Sequence, residues 1–481
     1  MELQNLLKNI SVIFKNCNSS IDIKGIVSDS RLVREGYCFV AVKGVHTDGH
    51  RFIKDAVHRG AVVVVCEEKV NNGVSYVQVK DSHKSLISIL KTFYFNPSES
   101  LRVIGVTGTN GKTTTTYLLE SVLKTQGFSV GVIGTISYRF KGRSIPATNT
   151  TPGPVELQAL LASIRDQDCK YCCMEVSSHS LDQGRVDGIN FRCAVFTNLT
   201  PEHLDYHKDM NSYLDAESKL FEMLSNNSYA VLNIDDNSFN ILSQRTKVSI
   251  MTYGFGNNAQ IYPVDIKILK SGMYGSINTP VGLLRIESNI IGRYNVYNIM
   301  GCIGAAICEG VKKENIEEGI KALKGIPGRM EPVENNKGIM IYVDYAHTDD
   351  ALKNVLQTLK DIKKDGRIIV VFGAGGDRDK TKRPKMGKTA GEGADYVIIT
   401  SDNPRTENAL DICKDIEAGL NHSVDYNIIV DRKEAIRTAI QNAKQGDIVL
   451  IAGKGHETYQ TLKDTVVPFD DREEAGNIVN K

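Results

Sequence analysis

The chain has 481 residues, an apolar share of 41%, a charged share of 24% and a formal net charge of +1. That length exceeds one ordinary hydrophobic core and predicts about three domains. Near-neutral charge removes any bulk electrostatic case for nucleic acid or a membrane surface as partner. No apolar run reaches the ~18–20 residues that span a bilayer. The N-terminal MELQNLLKNISVIF is amphipathic, with no charged head and apolar core, so no signal peptide is expected and the cytoplasm is the default location. Ten cysteines are scattered, clustered only at Cys169-Lys-Tyr-Cys172-Cys173. A zinc knuckle needs a second pair at metal-like spacing. YCCMEV instead reads as a strand with cysteine packed as a small hydrophobe, and free thiols fit a reducing compartment.

In chain order, residues 1–99 form a first unit. Ile21–Ser28, Tyr37–Val42, Ala61–Cys66 and Ser75–Val79 read as strands, and His50–Arg59 and Ser82–Phe95 as helices. Asn96-Pro-Ser-Glu-Ser100 is loop-like and closes it. A second unit, 100–328, begins with the apolar run Leu101–Val106. Strands at Lys170–Val176, Cys193–Asn198, Tyr229–Asn233 and Val248–Tyr253 alternate with helices, which predicts a mostly parallel sheet covered on both faces. A β-rich passage at Gln260–Ile291 and a helix at Asn295–Glu309 follow. Gly325-Ile-Pro-Gly328 reads as a linker and a plausible hinge. The third unit, 329–481, has strands at Met340–Asp344, Arg367–Phe372, Tyr396–Thr400, Tyr426–Val430 and Ile448–Ala452, with helices between. It reads as a second doubly wound α/β sheet. Sites in such sheets lie beyond the carboxyl ends of the strands. Four of these ends carry AspTyrAlaHis, GlyAlaGlyGlyAspArgAsp, SerAspAsnProArg and GlyLysGlyHisGlu.

The segment Val103-Ile-Gly-Val-Thr-Gly-Thr-Asn-Gly-Lys-Thr-Thr-Thr-Thr116 passes from strand through a glycine turn to Lys112-Thr113 and a helix. That is the layout of a phosphate-binding loop. Gly108, Thr109, Asn110, Gly111, Lys112, Thr113 and Thr114 are the residues expected around the phosphates of ATP or GTP. The standard loop has glycine where this chain has Val106. Glu175 ends a strand and is followed by Ser177-Ser178-His179; a carboxylate there suits Mg²⁺. Thr197-Asn-Leu-Thr-Pro-Glu-His-Leu-Asp-Tyr-His207 ends another, making His203, Asp205 and His207 candidates for metal or substrate. Lys219, in a helix read over Met210–Leu224, is by spacing alone an exposed helix lysine.

TGTNGKTTT, Glu175-Val-Ser-Ser-His, HLDYH, Glu217-Ser-Lys219, GRYNVYN at 292–298 and GIPGRME at 325–331 occur in one order across the chain. Asp29-Ser30-Arg31, Gly44-Val-His46-Thr-Asp-Gly49, Val343-Asp-Tyr-Ala-His347 and GAGGDRDKTKRPKMG extend that order to both ends. Together they resemble the Mur ligases, ATP-dependent amide-forming enzymes that build the peptidoglycan stem peptide. Within the family, Asp402-Asn403-Pro404-Arg405 resembles the quartet of members that add meso-2,6-diaminopimelate; lysine-adding members differ there.

The resemblance implies three domains: a small α/β UDP-binding domain, a central P-loop domain with a small β-rich part, and a Rossmann-like C-terminal domain. It implies catalytic roles for Lys112, Glu175, His203 and Lys219. It places Asn295, Asn298, Arg329 and Asp344 with ATP, and Thr113, Glu175, His203 and an N-carboxylated Lys219 on Mg²⁺. Ser30, Thr150, Thr151, Ser177, Gln183 and Arg185 would hold the UDP-N-acetylmuramoyl-L-alanyl-D-glutamate. Arg383, Asp402, Asn403, Pro404, Arg405, Gly453 and Glu457 would hold diaminopimelate. The chain departs from the family's usual Asp-His-Leu-Asp in carrying Glu202-His203-Leu-Asp205. A monomer acting on small molecules is expected. Three alternatives remain open: lysine as acceptor, a folylpolyglutamate synthetase-like ligase, and a nucleotide switch without ligase chemistry. The last leaves Lys219 and the DNPR quartet unused.

Overall fold

The structure is a computed structural model; it describes residues 1–480 except 45–46, 71–72, 421–423 and 464. Val45 and His46 of the GVHTDG segment therefore lie outside the described residues. The chain divides into two compact units: 1–105 with 128–194 and 216–228, and 106–127 with 195–215 and 229–481.

In the first unit, five strands order as Val12–Lys15, Tyr76–Val79, Ala61–Cys66, Tyr37–Val40, Gly25–Val27. All neighbours are parallel except the first pair. The central strand AVVVVC carries four consecutive β-branched valines, and its residues alternate between two cores, Val63 and Val65 on one face and Val64 and Cys66 on the other. The helix Ser82–Phe93 is started by Asp81, whose carboxylate accepts from the Lys84 N–H. Its Leu86, Ile89 and Leu90 close the first of these cores, each contributing roughly 1.5–3 kcal/mol by burial. Farther on, Tyr171–Glu175 is buried throughout and pairs in parallel with Val130–Ile133, which continues antiparallel into Ser137–Phe140 and Arg143–Pro146.

In the second unit, Tyr229–Asn233 pairs in parallel with Ser249–Tyr253. The expected β-rich passage is an antiparallel sheet of Tyr262–Leu269, Gly272–Asn278 and Leu284–Ser288. The helix that begins at Lys112 packs against Lys313–Ala322 so closely that a Cβ on Gly319 would lie 2.4 Å from the Val122 Cα.

The C-terminal sheet has six strands, ordered Glu331–Pro332, Met340–Asp344, Ile448–Ala452, Ile368–Phe372, Tyr396–Ile399, Asp425–Ile428. All pairs but the first are parallel. Val370 and Phe372 face a core closed by Asp349–Ile362, Lys382–Gly393 and Ala409–Glu417; Ile369 and Val371 face one closed by Arg432–Asn442 and Asp471–Val479. This is the doubly wound arrangement that the sequence predicts. The proposed linker is half fixed. Gly328 has φ +65°, and a Cβ there would lie 2.1 Å from the His456 N; Gly325 has open space around it.

A buried ion pair ties this sheet's carboxyl end together. Arg432 donates to Asp471 Oδ1 and Oδ2 at 2.8 and 2.7 Å, to the Ser401 carbonyl at 3.2 Å and to the Ala452 carbonyl at 2.9 Å. Both side chains are 0% exposed. Removing one partner strands the other's charge, which costs about 3–5 kcal/mol. Arg432→Met is therefore expected to lower the unfolding free energy read from urea denaturation of the full chain by that amount, and Arg432→Met with Asp471→Leu to recover much of it. A loss under ~1 kcal/mol in the single variant would show that the pair holds nothing.

Candidate active site

The strand Arg102–Thr107 is followed by two left-handed glycines, Gly108 (φ +119°) and Gly111 (φ +91°), before the helix Lys112–Thr125. Side chains are excluded at both: a Cβ would lie 2.2 Å from Thr197 Oγ1 at Gly108 and 2.2 Å from Asn298 Oδ1 at Gly111. The loop is braced from below. Thr109 N donates to the Asn198 carbonyl at 2.8 Å, Asn110 N to Asn198 Oδ1 at 3.0 Å, and Thr197 Oγ1 to the Asn110 carbonyl at 2.6 Å. Lys112 folds back onto the loop, its Nζ 2.6 Å from the Gly108 carbonyl and 2.9 Å from that of Thr109. Carbonyls are weak competitors for an ammonium, so anionic oxygens at the helix N-terminus can take it over.

Several predicted nucleotide residues converge here. Asn298 Nδ2 donates to Asn295 Oδ1 at 2.8 Å, and Asn295 Nδ2 to the Ile291 carbonyl at 2.7 Å. Arg329 Nη2 donates to Thr113 Oγ1 at 3.3 Å, and its guanidinium stacks 4.6 Å from the Tyr345 ring centre. The buried Arg329 Nε has no hydrogen-bond partner among the described residues. Asp344 accepts from the Met330 and Ala346 N–H groups at 2.7 and 2.8 Å. Burial raises its carboxyl above the ordinary range, against the pull of Arg329.

The 197–207 segment holds an ion pair absent from the sequence reading. Glu202 Oε1 lies 3.3 Å from His347 Nε2 and its Oε2 lies 4.0 Å from His203 Nε2. Burial opposes its charge, but His347, His203 and Lys112 outweigh that and hold the carboxyl far below its usual range. His203 is half-exposed in a left-handed turn (φ +58°). His207 is buried and stacked on Tyr213 at 5.0 Å. Asp205 is exposed. Asn110 Nδ2 also reaches Asp350 Oδ2 at 3.0 Å, a second unread contact.

In the first unit, the residues assigned to the muramoyl peptide form one network around Glu175. The buried Glu175 carboxylate accepts from Thr135 N at 2.9 Å and Thr135 Oγ1 at 2.8 Å; that hydroxyl lies 3.1 Å from Thr150 Oγ1. Thr151 Oγ1 donates to the Glu175 carbonyl at 2.8 Å and accepts from Ser177 N at 3.0 Å. Arg185 donates to the Thr151 carbonyl at 3.1 Å and, through Nε and Nη2, to Gln183 Oε1 at 2.9 and 2.7 Å. Lys219 Nζ pairs with Asp182 Oδ1 at 2.8 Å. Ser30 is buried in a short 3-10 turn, separate from this network in sequence and sheet.

At the C-terminal sheet, the DNPR quartet lies against glycine backbone. A Cβ on Gly376 would lie 1.9 Å from the Pro404 carbonyl oxygen, one on Gly373 3.0 Å from the Asp402 N, and one on Gly453 2.6 Å from Asp402 Oδ2. Arg405 adopts φ +52° and donates from Nη1 to the Gly376 carbonyl at 2.7 Å. Asn403 Nδ2 donates to Glu457 Oε2 at 2.9 Å. Arg383 is buried and donates to Glu407 at 2.8 and 3.0 Å, to Asp415 at 2.9 Å and to the Gly375 carbonyl at 3.3 Å. Its guanidinium thus fixes the GAGG turn from beneath and draws the Glu407 carboxyl down to about 2. His456, unread in the sequence, is kept neutral: burial and then Arg329, Arg472, His347 and Lys454 lower it to about 3.

Among the described residues no three His, Cys, Asp or Glu side chains are placed to hold a metal. All ten cysteines are free thiols, eight of them buried. No helix among the described residues is long and apolar enough to cross a membrane.

Comparison with known proteins agrees along the chain. Residues 22–94 match the Mur ligase family catalytic domain, 106–306 the Mur ligase middle domain and 328–455 the Mur ligase glutamate ligase domain. A UDP-N-acetylmuramoyl-L-alanyl-D-glutamate--2,6-diaminopimelate ligase from Caldanaerobacter subterraneus subsp. tengcongensis is 42% identical over 476 residues, covering 98% of each chain. One of the same name from Bacteroides thetaiotaomicron is 41% identical over 486 residues, covering 100% of each. A solved structure of a ligase of that name superposes with a TM-score of 0.71 at 32% identity, over 100% of this chain and 99% of the other. The chain belongs to the Mur ligase family.

Proposed function

We propose that this ligase joins meso-2,6-diaminopimelate to the D-glutamyl γ-carboxylate of UDP-N-acetylmuramoyl-L-alanyl-D-glutamate, driven by ATP, in peptidoglycan synthesis. The observation that carries the acceptor choice is that Arg405 and Glu457 both follow carboxyl ends of strands in the C-terminal sheet. A guanidinium suited to a carboxylate and a carboxylate suited to an ammonium follow Tyr396–Ile399 and Ile448–Ala452, the two strands that flank Ile368–Phe372, and Asn403 of the quartet donates to Glu457. The distal end of diaminopimelate carries both complementary groups, whereas that of lysine carries the ammonium alone. The full-length likeness to ligases bearing this name supports the same reading.

The reaction has two steps. The γ-carboxylate oxygen attacks the ATP γ-phosphorus and ADP leaves, giving an acyl phosphate. The acceptor amine then attacks the acyl carbon, phosphate leaves, and the nitrogen gives up a proton. The glycine turn and Lys112 bind the phosphates, and Arg329, half-buried beside Thr113, faces the charge that develops on them. Asn295, Asn298 and Asp344 position the nucleoside; Thr150, Thr151, Ser177, Gln183 and Arg185 position the peptide, with Ser30 at the uridine end. Arg383, Asp402, Pro404 and Gly453 shape the acceptor pocket.

The donor chemistry fits Mg²⁺, which keeps most of its waters and uses few protein ligands besides phosphate oxygens. Thr113, Glu175 and His203 would hold it, with Lys219 as its carbamate, and bound metal would neutralise charge on the phosphates. Carboxylation turns the Lys219 cation into an anion, and the present Lys219–Asp182 pair would give way to it. The functional divisions are 1–99, 100–328 and 329–481. The ligase works as a monomer in the cytoplasm, where ATP is supplied.

ADP formation on ATP, Mg²⁺ and the UDP-muramoyl dipeptide should depend on added amino acid. The kcat/KM for diaminopimelate should exceed that for lysine by ~10³ or more, since lysine leaves the half-buried Arg405 guanidinium without its carboxylate. ADP release that needs no amino acid would refute ligation, and a preference for lysine would refute the acceptor. Separately, Lys219→Ala should lose nearly all activity and regain part of it with added short carboxylic acids; a fully active variant would exclude the carbamate.

A further inference from the structure

One buried cation at the acceptor pocket has no part in the roles above. Lys454 is 0% exposed. Its Nζ donates to Glu457 Oε2 at 2.8 Å and to Asn403 Oδ1 at 3.2 Å, and lies 5.6 Å from the Tyr459 ring centre. Asn403 closes the triangle by donating from Nδ2 to the same Glu457 Oε2 at 2.9 Å, while its Oδ1 also accepts from Thr461 N at 2.9 Å.

Two consequences follow. First, Glu457 Oε2 already holds two donors, whereas Oε1 accepts no hydrogen bond from the described residues. The Glu457 side chain is 19% exposed, so it has an open side. The triangle therefore fixes the carboxylate plane and leaves one oxygen for a ligand. Second, a desolvated ammonium acts strongly on any charge that enters nearby. A zwitterionic end placed beside it gains from its carboxylate roughly what it loses from its ammonium. An end that carries an ammonium alone has only the loss.

We propose that Lys454 positions Glu457 and Asn403 as one rigid frame for the ammonium of the acceptor, and that its buried charge disfavours an acceptor whose distal end is only a cation. Lys454 acts through Glu457 and touches no reacting atom, so it is a positioning residue that also sets specificity. The inference rests on the reading of the DNPR and Gly453–Glu457 strand ends as the acceptor pocket. Removing the charge frees the Glu457 carboxylate to rotate, which weakens binding of the zwitterion, and lifts the penalty on lysine.

The test is steady-state kinetics of the full chain with diaminopimelate and with lysine, each varied at saturating ATP and UDP-muramoyl dipeptide. Lys454→Met should raise the KM for diaminopimelate about tenfold while kcat stays within about threefold and the KM for ATP is unchanged. The diaminopimelate-to-lysine ratio of kcat/KM should fall at least about tenfold. In a Glu457→Gln background the same change should alter the diaminopimelate KM less than about twofold, because the two residues act as a unit. Lys454→Gln keeps a donor without the charge and guards against misfolding of the Met variant. It should retain more of the affinity for diaminopimelate yet lose the discrimination. A wild-type chain with no acceptor-dependent ADP formation overturns the pocket and this inference together. A wild-type preference that both Lys454 variants leave intact, or losses that multiply with Glu457→Gln, overturns the role of Lys454 alone.

Discussion

The proposed acceptor end of this molecule depends on one buried guanidinium. Arg432 and Asp471 pair with no solvent access, and the two remaining donor contacts of Arg432 go to the carbonyls of Ser401 and Ala452. Those carbonyls immediately precede Asp402 and Gly453. One ion pair thus sets the spacing between the strand end that carries the DNPR quartet and the strand end that carries Gly453 to Glu457. Desolvating the two charges is costly, and the geometry returns that cost because each guanidinium nitrogen finds an oxygen. The parallel ladders to Ile368–Phe372 set the register of both strands. The guanidinium fork then holds the carbonyls that precede Asp402 and Gly453 at a fixed separation.

Close backbone approach supplies the second constraint. Gly373, Gly376 and Gly453 let the quartet lie directly on neighbouring turns, and Arg405 is held against the Gly376 carbonyl in a left-handed conformation. Arg383 serves the same turn from the opposite side through Glu407 and Gly375. The phosphate end follows similar logic, with Gly108 and Gly111 admitting Thr197 and Asn298 where any side chain would clash. Cations, Lys112 and Arg329, stand at the proposed phosphate end, while one cation and one anion, Arg405 and Glu457, stand at the proposed acceptor end. That difference in charge pattern fits a trianion on one side and a zwitterion on the other.

Much of this was readable from sequence because it is written in local terms. Tyr229–Asn233, Met340–Asp344, Ile448–Ala452 and Ala61–Cys66 are short apolar runs between polar turns, and the structure gives them those bounds. The phosphate loop is legible because glycines, lysine and threonine sit together between a strand and a helix. Val12–Lys15 escaped notice because it is an edge strand exposed along its whole length, held by backbone pairing and without a buried face to leave an alternation. Val130–Ile133 is four residues between glycine-containing turns, too short to carry a period. The hairpin of Tyr459–Leu462 and Thr465–Pro468 lacks a glycine turn signal; Lys463 takes the left-handed position instead. The pairs that organise the site, Glu202 with His347, Arg432 with Asp471 and Asn110 with Asp350, join residues far apart in the chain. A single sequence holds no signal for such partners, since each residue alone reads as an ordinary polar position.

The central claim is that the acceptor is chosen by a carboxylate that Arg405 receives. The direct measurement is kcat/KM for diaminopimelate and for lysine in Arg405→Ala, with the ATP KM as an internal control. The account predicts a loss of about 10²–10³ for diaminopimelate, little change for lysine and an unchanged ATP KM. Equal losses for both amino acids, or an undiminished preference for diaminopimelate, would contradict it.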